Sequence, residues 1–169
     1  MSPYEFDGEK YKKASKHQKE WGNRLIGQLR LKGNESILDL GCGDGVLTEQ
    51  LSFLVPNGHV LGIDASAGMI QTAKQFSRNN LEFLQMDIRD MSYADEFDVI
   101  FSNAALHWLR DHNSLLRSAY HALKPGGILL WNFAGSGSCL NFFETVRQIM
   151  AEENYQQYFK NFEWPWFMP

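Results

Sequence analysis

The stretch that decides the fold runs from residue 36 to residue 45 and reads Ser-Ile-Leu-Asp-Leu-Gly-Cys-Gly-Asp-Gly. Its first half is short and apolar, which is typical of a strand buried on both faces of a parallel sheet. Its second half places glycines at positions 41, 43 and 45. Glycine lacks a Cβ, so it adopts positive φ and lets the backbone approach a ligand closely. A buried strand that runs into such a turn and then into a helix predicts a ligand-binding loop.

The spacing of the glycines and the acidic residues beside them indicate which ligand the loop takes. The dinucleotide fingerprint is G-x-G-x-x-G, whereas this loop reads G-x-G-x-G. Asp39 lies two positions before the first glycine, and Asp44 lies inside the loop. Carboxylates at the start of a helix disfavour a phosphate group and favour a ligand with a cationic end. The alternative interpretation is a glycine turn that binds nothing.

Outward from this loop, apolar runs alternate with helical patterns from about residue 36 to residue 150, as in βαβ units. The predicted strands are 36–40, 60–64, 81–85, 98–102 and 127–133. The predicted helices are 46–54, 68–79 and 113–123 between the strands, 11–31 before them and 139–158 after them. We therefore expect an α/β fold with a doubly wound, Rossmann-like, mainly parallel sheet.

Three further predicted strands end in polar residues that share the carboxyl edge of the sheet, where open α/β sheets bind ligands. Asp64 lies nineteen residues after Gly45, where a carboxylate accepts hydrogen bonds from ribose hydroxyls. Asp87 is placed to accept from an exocyclic amine, and Ile88 to pack on a ring. The fourth strand ends at Asn103. Each acidic residue has an alternative role as a turn or helix cap.

Together these residues resemble the class I methyltransferases that use S-adenosylmethionine. The resemblance covers about residues 11–158 and rests on residues 39–45, Asp64, residues 87–88, 97–100 and 123–127, in that order. It implies an S-adenosylmethionine-dependent methyltransferase of class EC 2.1.1, and the cofactor's ammonium and sulfonium would be the cationic end.

The resemblance also implies a set of cofactor-binding residues. Gly41 and Gly43 would approach the methionine part, Asp39 would face its amino group, and Asp64 would hold the ribose. Asp87, Ile88 and Met69 would surround the adenine. The full set is Asp39, Gly41, Cys42, Gly43, Asp64, Ala65, Met69, Asp87, Ile88, Asn103 and Ala104.

Within this family, residues 62–70, 87–89 and 102–112 are most similar to the trans-aconitate methyltransferases. They also resemble the malonyl-carrier methyltransferases of biotin synthesis and the juvenile-hormone-acid enzymes. These relatives esterify carboxylates, which are already nucleophilic at neutral pH, so alignment and exclusion of water would suffice. The resemblance implies a small carboxylic acid as methyl acceptor.

His107 is the candidate catalytic residue, at a position where the trans-aconitate enzymes tend to carry Gln. Whether it would orient the substrate, act as a base or only pack stays open. A carboxylate substrate would require a cation. Arg110, Lys16 and Lys19 are the candidates.

Composition excludes several classes of protein. The chain of 169 residues has a formal net charge of -4, which argues against a nucleic-acid partner. Its apolar runs are far shorter than the roughly 20 residues that span a bilayer, and its polar start has no signal-peptide core. We expect a cytoplasmic protein with no membrane partner. Cys42 and Cys139 are predicted to be free thiols, and no metal site is expected.

The length and the last residues raise a further expectation. Class I methyltransferases usually continue past a fifth strand, so we expect a single domain from an N-terminal fragment or a shortened protein. It would consist of N-terminal helices (1–35), a cofactor-binding core (36–158) and an aromatic tail (159–169). The tail either folds back on its own domain or marks an interface.

Loss of the later strands would have two consequences. The run 127–133 would be an unprotected edge strand, which predicts a homodimer or aggregation through this edge. The chain would also be open to an alternative function, cofactor binding without turnover. A second alternative is a nucleotide-dependent oxidoreductase with the same sheet topology.

Overall fold

A five-stranded sheet is the central feature of the computed structural model, which describes residues 16–169. Its strands are β1 (Ser36–Leu40), β2 (His59–Asp64), β3 (Leu81–Gln85), β4 (Phe97–Asn103) and β5 (Leu123–Asn132). They are ordered β3-β2-β1-β4-β5, and every neighbouring pair is parallel. This order is the doubly wound one. The predicted α/β Rossmann-like fold is therefore confirmed.

The described residues contain five α-helices in addition to the sheet. They are α1 (Lys16–Ile26), α2 (Val46–Leu54), α3 (Ala67–Ala73), α4 (His112–Ala122) and α5 (Leu140–Ala151). Ser66 caps α3 by accepting from the Met69 N–H, and Asp111 caps α4 by accepting from the Ser114 N–H. One or two helices are predicted over 11–31; the start of that range, with Tyr11, lies outside the described residues, and α1 ends at Ile26 instead of near Leu31.

The helix predicted over 68–79 is shorter than its apolar spacing indicates. It ends at Ala73 and tightens into a 3₁₀ turn at Lys74–Phe76. The residues that follow include Asn80, which contacts a different helix. Its side-chain amide donates to the carbonyls of Ser52 and Val55 at the end of α2. Those carbonyls have no partner within α2 itself.

Strand β5 begins four residues earlier than predicted, at Leu123 instead of Gly127. Leu123 pairs with Phe97, and regular pairing resumes at Ile128 with Val99 after an irregularity. That irregularity contains Pro125, which has no N–H to donate, and Gly126, which adopts φ +84°. β5 forms an edge of the sheet, as predicted, and Ile128 is 47% exposed.

Helix α5 also ends before its predicted limit, at Ala151 rather than near Tyr158. The next residue, Glu152, has an extended backbone with ψ 145°. Two successive glutamates at this position oppose the negative end of the helix dipole, which is unfavourable for a further turn. A separate 3₁₀ turn follows at Gln156–Tyr158.

The described residues form two compact units. The first comprises residues 16–106 and 111–133 and contains the sheet, whose largest fully buried side chains include Ile37, Leu38 and Phe101. The second comprises residues 107–110 and 134–169. Among residues 16–169, no helix is both long and apolar enough to cross a membrane.

Candidate functional site

The loop after β1 has the backbone that its glycines predict. Gly41, Gly43 and Gly45 adopt φ values of +72°, +55° and +81°. The amides of Gly41 and Cys42 both donate to the carbonyl of Ile63 in β2, at 2.9 and 3.0 Å. The loop is thereby fixed to the ends of two adjacent strands before α2 begins.

Two of these glycines also have no room for a side chain. A Cβ on Gly41 would lie 2.3 Å from the Cβ of Ala105, and a Cβ on Gly45 would lie 2.8 Å from that of Ala73. Both distances are shorter than any van der Waals contact. Glycine is therefore required at these positions by packing as well as by φ.

Asp64 connects β2 to the glycine loop. One of its carboxylate oxygens accepts from the Gly43 N–H at 3.0 Å, and the other accepts from the Ser66 N–H at 2.9 Å. The first contact holds the middle of the loop, and the second holds the turn into α3. Asp64 thus lies at the carboxyl edge beside the loop, where the sequence predicts a ribose-binding carboxylate.

Asp39 is a buried carboxyl at the end of β1, beneath the loop. Burial raises its pKa to about 7, the hydrogen bond from the Thr48 hydroxyl at 2.7 Å opposes that rise, and the charge of Asp64 adds to it. A buried anion in this position is stabilised by a nearby positive charge. The same burial raises the pKa of the Cys42 thiol well above its usual range.

Asp44 binds a residue whose role the sequence leaves open. The Lys19 ammonium lies 2.7 Å from an Asp44 carboxylate oxygen, and both side chains are largely buried. Lys19 belongs to α1, so this ion pair joins α1 to the glycine loop. Close packing supports the same contact, because a Cβ on Gly22 of α1 would lie 2.2 Å from a methyl group of Leu47 in α2. Lys19 therefore acts from α1 as an ion-pair partner of the glycine loop.

Asp87 forms a hydrogen-bonded ion pair with Arg89. The Arg89 guanidinium donates to both carboxylate oxygens, at 2.9 and 2.6 Å, and these contacts lower the pKa of Asp87. The carboxylate also caps the 3₁₀ turn Ile88–Asp90 by accepting from the Arg89 N–H. Asp87 is thus fixed as an anion beside Ile88. The cap role that the sequence left as an alternative is present in the structure.

The remaining residues of the predicted set occupy the same edge of the sheet. Met69 is buried in the first turn of α3. The carbonyl of Ala65 accepts from the Gln85 side chain at 3.3 Å. Ala104 adopts φ +57°, which is rare for a residue with a Cβ, and its N–H donates to the Asn132 carbonyl at 2.7 Å.

Asn103 uses both ends of its side-chain amide within the protein. It donates to the main-chain carbonyl of Gln18 at 2.8 Å and accepts from the Asn132 side chain at 2.9 Å. The sequence predicts Asn103 as a cofactor-binding residue, but it gives no signal for either partner. Sequence reasoning places Gln18 on a helix expected over the cofactor, with core packing as the alternative, and it misses Asn132 as a partner of the candidate site residue Asn103.

His107 lies in the second unit, whereas every predicted cofactor-binding residue lies in the first. Its carbonyl accepts from the Phe167 N–H at 2.7 Å. Its Nδ1 is buried and has no hydrogen-bond partner among the described residues, and burial lowers its pKa. The imidazole is therefore neutral near pH 7.

Arg110 also lies in the second unit and is held within it. Its guanidinium donates to the Trp164 carbonyl at 2.9 Å and lies 3.1 Å from a carboxylate oxygen of Glu163. Lys16, the third candidate cation, is the first residue of α1. The sequence does not distinguish between these cations.

Comparison with known proteins relates this arrangement to a family. A family described as a methyltransferase domain matches residues 31–163. The chain is 35% identical over 151 residues to a malonyl-[acyl-carrier protein] O-methyltransferase of Bacillus anthracis, covering 86% of this chain and 56% of that protein. It is 46% identical over 93 residues to a trans-aconitate 2-methyltransferase of Deinococcus radiodurans, covering 55% of this chain and 35% of that protein.

A solved structure shares the fold. An S-adenosylmethionine-dependent methyltransferase from Mesorhizobium loti matches with a TM-score of 0.59 and 29% identity, covering 67% of this chain and 52% of that one. The chain thus spans about half the length of the first of these relatives and of this structure. All three proteins are named as methyltransferases. They lend no support to cofactor binding without turnover or to an oxidoreductase.

Proposed function

This chain belongs to the class I S-adenosylmethionine-dependent methyltransferase family, in its trans-aconitate methyltransferase-like group, and we propose that it binds S-adenosylmethionine at the glycine loop. We propose further that the protein transfers the methyl group to a small carboxylic acid. One observation carries the first proposal: the loop 41–45 has three glycines at positive φ and is tied to Asp64 at the carboxyl edge of the sheet.

The side chains around the loop fit this cofactor. Backbone without side chains gives the methionine part close access, and Asp39 and Asp44 supply negative charge for its ammonium and sulfonium. Asp64 would hold the ribose, while Met69 and Ile88 supply apolar surface for the adenine and Asp87 an acceptor for its amine. When bound, S-adenosylmethionine supplies a methyl group that its positively charged sulfur makes electrophilic.

The remaining set positions the loop and its edges. Cys42 contributes its main-chain N–H to the contact with Ile63, and Ala65 and Ala104 contribute backbone at the ends of β2 and β4. Asn103 would act through its contacts with Gln18 and Asn132. In this proposal, these residues shape the cofactor site, and they do not recognise a particular group of the cofactor.

The names of two relatives, which specify malonyl and aconitate substrates, support the proposed acceptor class. An ionised carboxylate needs no general base, because it is already a nucleophile at neutral pH. We therefore assign His107 a role as a neutral hydrogen-bonding residue, which its lowered pKa supports. The cytoplasmic location, the lack of a nucleic-acid partner and the homodimer through β5 stay predictions.

Calorimetric titration with S-adenosylmethionine tests the cofactor site. Asp64→Asn should weaken binding by about 10- to 100-fold, since hydrogen bonds to a charged group contribute about 1.5 to 3 kcal/mol. Asp95→Asn is the matched control, because it removes the same charge from an exposed turn. Wild-type protein that releases no heat of binding overturns the proposal, and equal affinity for Asp64→Asn removes Asp64 from the site.

The acceptor is tested separately. The protein, the cofactor and a panel of small di- and tricarboxylic acids are incubated together, and methyl esters are detected by mass spectrometry. An ester of one acid supports the acceptor class. Cofactor binding with methylation of amines alone, or of none of the compounds, contradicts it.

A further inference from the structure

Three carboxamide residues from distant parts of the chain form a continuous hydrogen-bonded row at the carboxyl edge of the sheet. The Asn132 side chain donates to the Asn103 side-chain oxygen at 2.9 Å. The Asn103 side chain donates in turn to the main-chain carbonyl of Gln18 at 2.8 Å. The row joins the ends of β5 and β4 to α1, and we call it the amide relay.

The relay has a fixed direction. Asn103 both accepts and donates, so rotating its amide by 180° would place its oxygen against the Gln18 carbonyl and its NH₂ against the Asn132 NH₂. Asn132 thereby decides which end of the Asn103 side chain faces α1. The main chain reinforces this pairing, because Asn103 and Asn132 are partners in the parallel ladder and the next residue, Ala104, donates to the Asn132 carbonyl.

At the end of the relay lies a polar atom with no hydrogen-bond partner among residues 16–169. The side-chain oxygen of Gln18 is buried and accepts no hydrogen bond from the described residues. A buried acceptor without a donor is unfavourable, so native proteins rarely retain one unless a ligand or water satisfies it. The next residue, Lys19, is paired with Asp44 of the glycine loop. The unsatisfied oxygen therefore belongs to a turn of helix that is already anchored to the proposed cofactor site.

We infer that Asn132, acting through Asn103, is a positioning residue of the cofactor site, and that the Gln18 side-chain oxygen accepts a hydrogen bond from the bound cofactor. This inference rests on the proposed function. In it, Asn132 and Asn103 touch no cofactor atom. They hold residues 18–19 of α1 at the edge of the sheet, and loss of either contact lets this turn move away from the ligand.

Calorimetric titration with S-adenosylmethionine at pH 8 tests the relay. Asn132→Leu keeps the branching of the side chain and removes its donor, and we expect the Kd to rise about three- to ten-fold, the range of one neutral hydrogen bond. The stoichiometry should stay unchanged, because a variant that merely misfolds lowers the number of sites instead. Asn79→Leu, at an exposed position of a loop, is the matched control and should bind like the wild type.

A second variant keeps the test decisive if Asn132→Leu does not fold. Gln18→Leu retains the relay, which ends on the main-chain carbonyl of that residue, and should raise the Kd by a similar factor. In the Gln18→Leu background, Asn132→Leu should add less than about two-fold, because the two changes remove one shared contact.

The outcomes separate the relay from the proposed function. Wild-type protein that does not bind the cofactor overturns both. Wild-type binding with an unchanged Kd for Gln18→Leu overturns the relay alone, and so does an unchanged Kd for a folded Asn132→Leu. Losses that multiply in the double variant also overturn it, since they would show that the two residues act independently.

Discussion

Strand β1 and helix α5 are both rich in apolar residues, and they bury them very differently. Four of the five residues of β1 are buried, whereas none of the twelve residues of α5 is. β1 lies between β2 and β4 at the centre of the sheet. Leu140, Phe142 and Ile149 of α5 are 51%, 60% and 45% exposed. An apolar pattern predicts that an element exists, but its neighbours determine how far it is buried.

The second unit is held together by contacts between rings instead of by a buried core. Phe143 of α5 lies edge-on to Trp164 and Trp166, with ring centroids 5.1 and 5.8 Å apart, and these two indoles stack on each other. Phe162 and Phe167 remain 45% and 40% exposed. The indoles of the tail therefore pack on α5 within the second unit, and an interface formed by its exposed rings stays a prediction.

The largest expected effect is in the sheet. Phe101→Ala empties a fully buried position in β4 and should lower the free energy of unfolding by about 3 to 5 kcal/mol. Urea unfolding at neutral pH measures it. If that variant does not fold, Ile100→Val should lose about 1 kcal/mol. A loss below 1 kcal/mol for Phe101→Ala would mean that packing around Phe101 contributes little to the stability of the first unit.

The glycine loop should be nearly as sensitive. Gly41→Ala combines positive φ with a Cβ 2.3 Å from that of Ala105, and should cost about 2 to 4 kcal/mol of stability. Gly126→Ala is the control, since it has φ +84° but no described atom within 4 Å of its Cβ, and should cost only about 1 kcal/mol. Adding Ala105→Gly should recover part of the loss in Gly41→Ala. No recovery would contradict the assigned clash.

The buried charge beneath the loop gives a pH-dependent effect. Because the folded pKa of Asp39 is raised from 3.8 to about 7, the folded state retains a proton that the unfolded chain loses between these values. Stability therefore falls as pH rises through this window. From pH 5 to pH 8, the wild type should lose about 2 to 3 kcal/mol relative to Asp39→Asn in urea unfolding.

Asp95→Asn serves as the control for that profile, because it makes the same substitution at an exposed position. Parallel profiles for wild type and Asp39→Asn would show that Asp39 titrates in the folded state as it does in the unfolded chain.

The smallest effect is expected in the second unit. Phe143→Ala removes edge-on ring contacts at a half-buried position. It should lower the free energy of local opening of α5 by about 1 to 2 kcal/mol, measured as faster amide hydrogen exchange. Exchange in β1 and β4 should stay as it is. Phe142→Ala, whose ring is 60% exposed and lies edge-on to Phe143, should have less effect. A loss as large as that of Phe101→Ala would remove the contrast between the units.

Much of the first unit could be predicted from local patterns. β1, α2 and β3 have the predicted bounds, because short apolar runs and helical spacing depend on residues close in sequence. The bounds of α3, β5 and α5 were wrong, because partners elsewhere decide where they begin or end. Asn80 forms a hydrogen bond to the end of α2, and Leu123 pairs with Phe97 in the sheet.

The candidate site divides in the same way. Its glycines and the carboxylates at the strand ends are recognisable from spacing, but Lys19 carries no signal that would pair it with Asp44. The contact between Gln18 and Asn103 joins residues 85 positions apart. The periodicity of apolar residues does not predict contacts between residues so far apart in the sequence.

The sequence by itself determined a parallel α/β sheet and a glycine loop at its carboxyl edge, because positive φ and the burial of short apolar runs are intrinsic to those residues. Only the tertiary structure decided the partner of each polar side chain, the raised pKa of Asp39 and the pairing of the rings near Trp164. These depend on which atoms the chain path brings within a few ångströms, and on how much water it excludes from them.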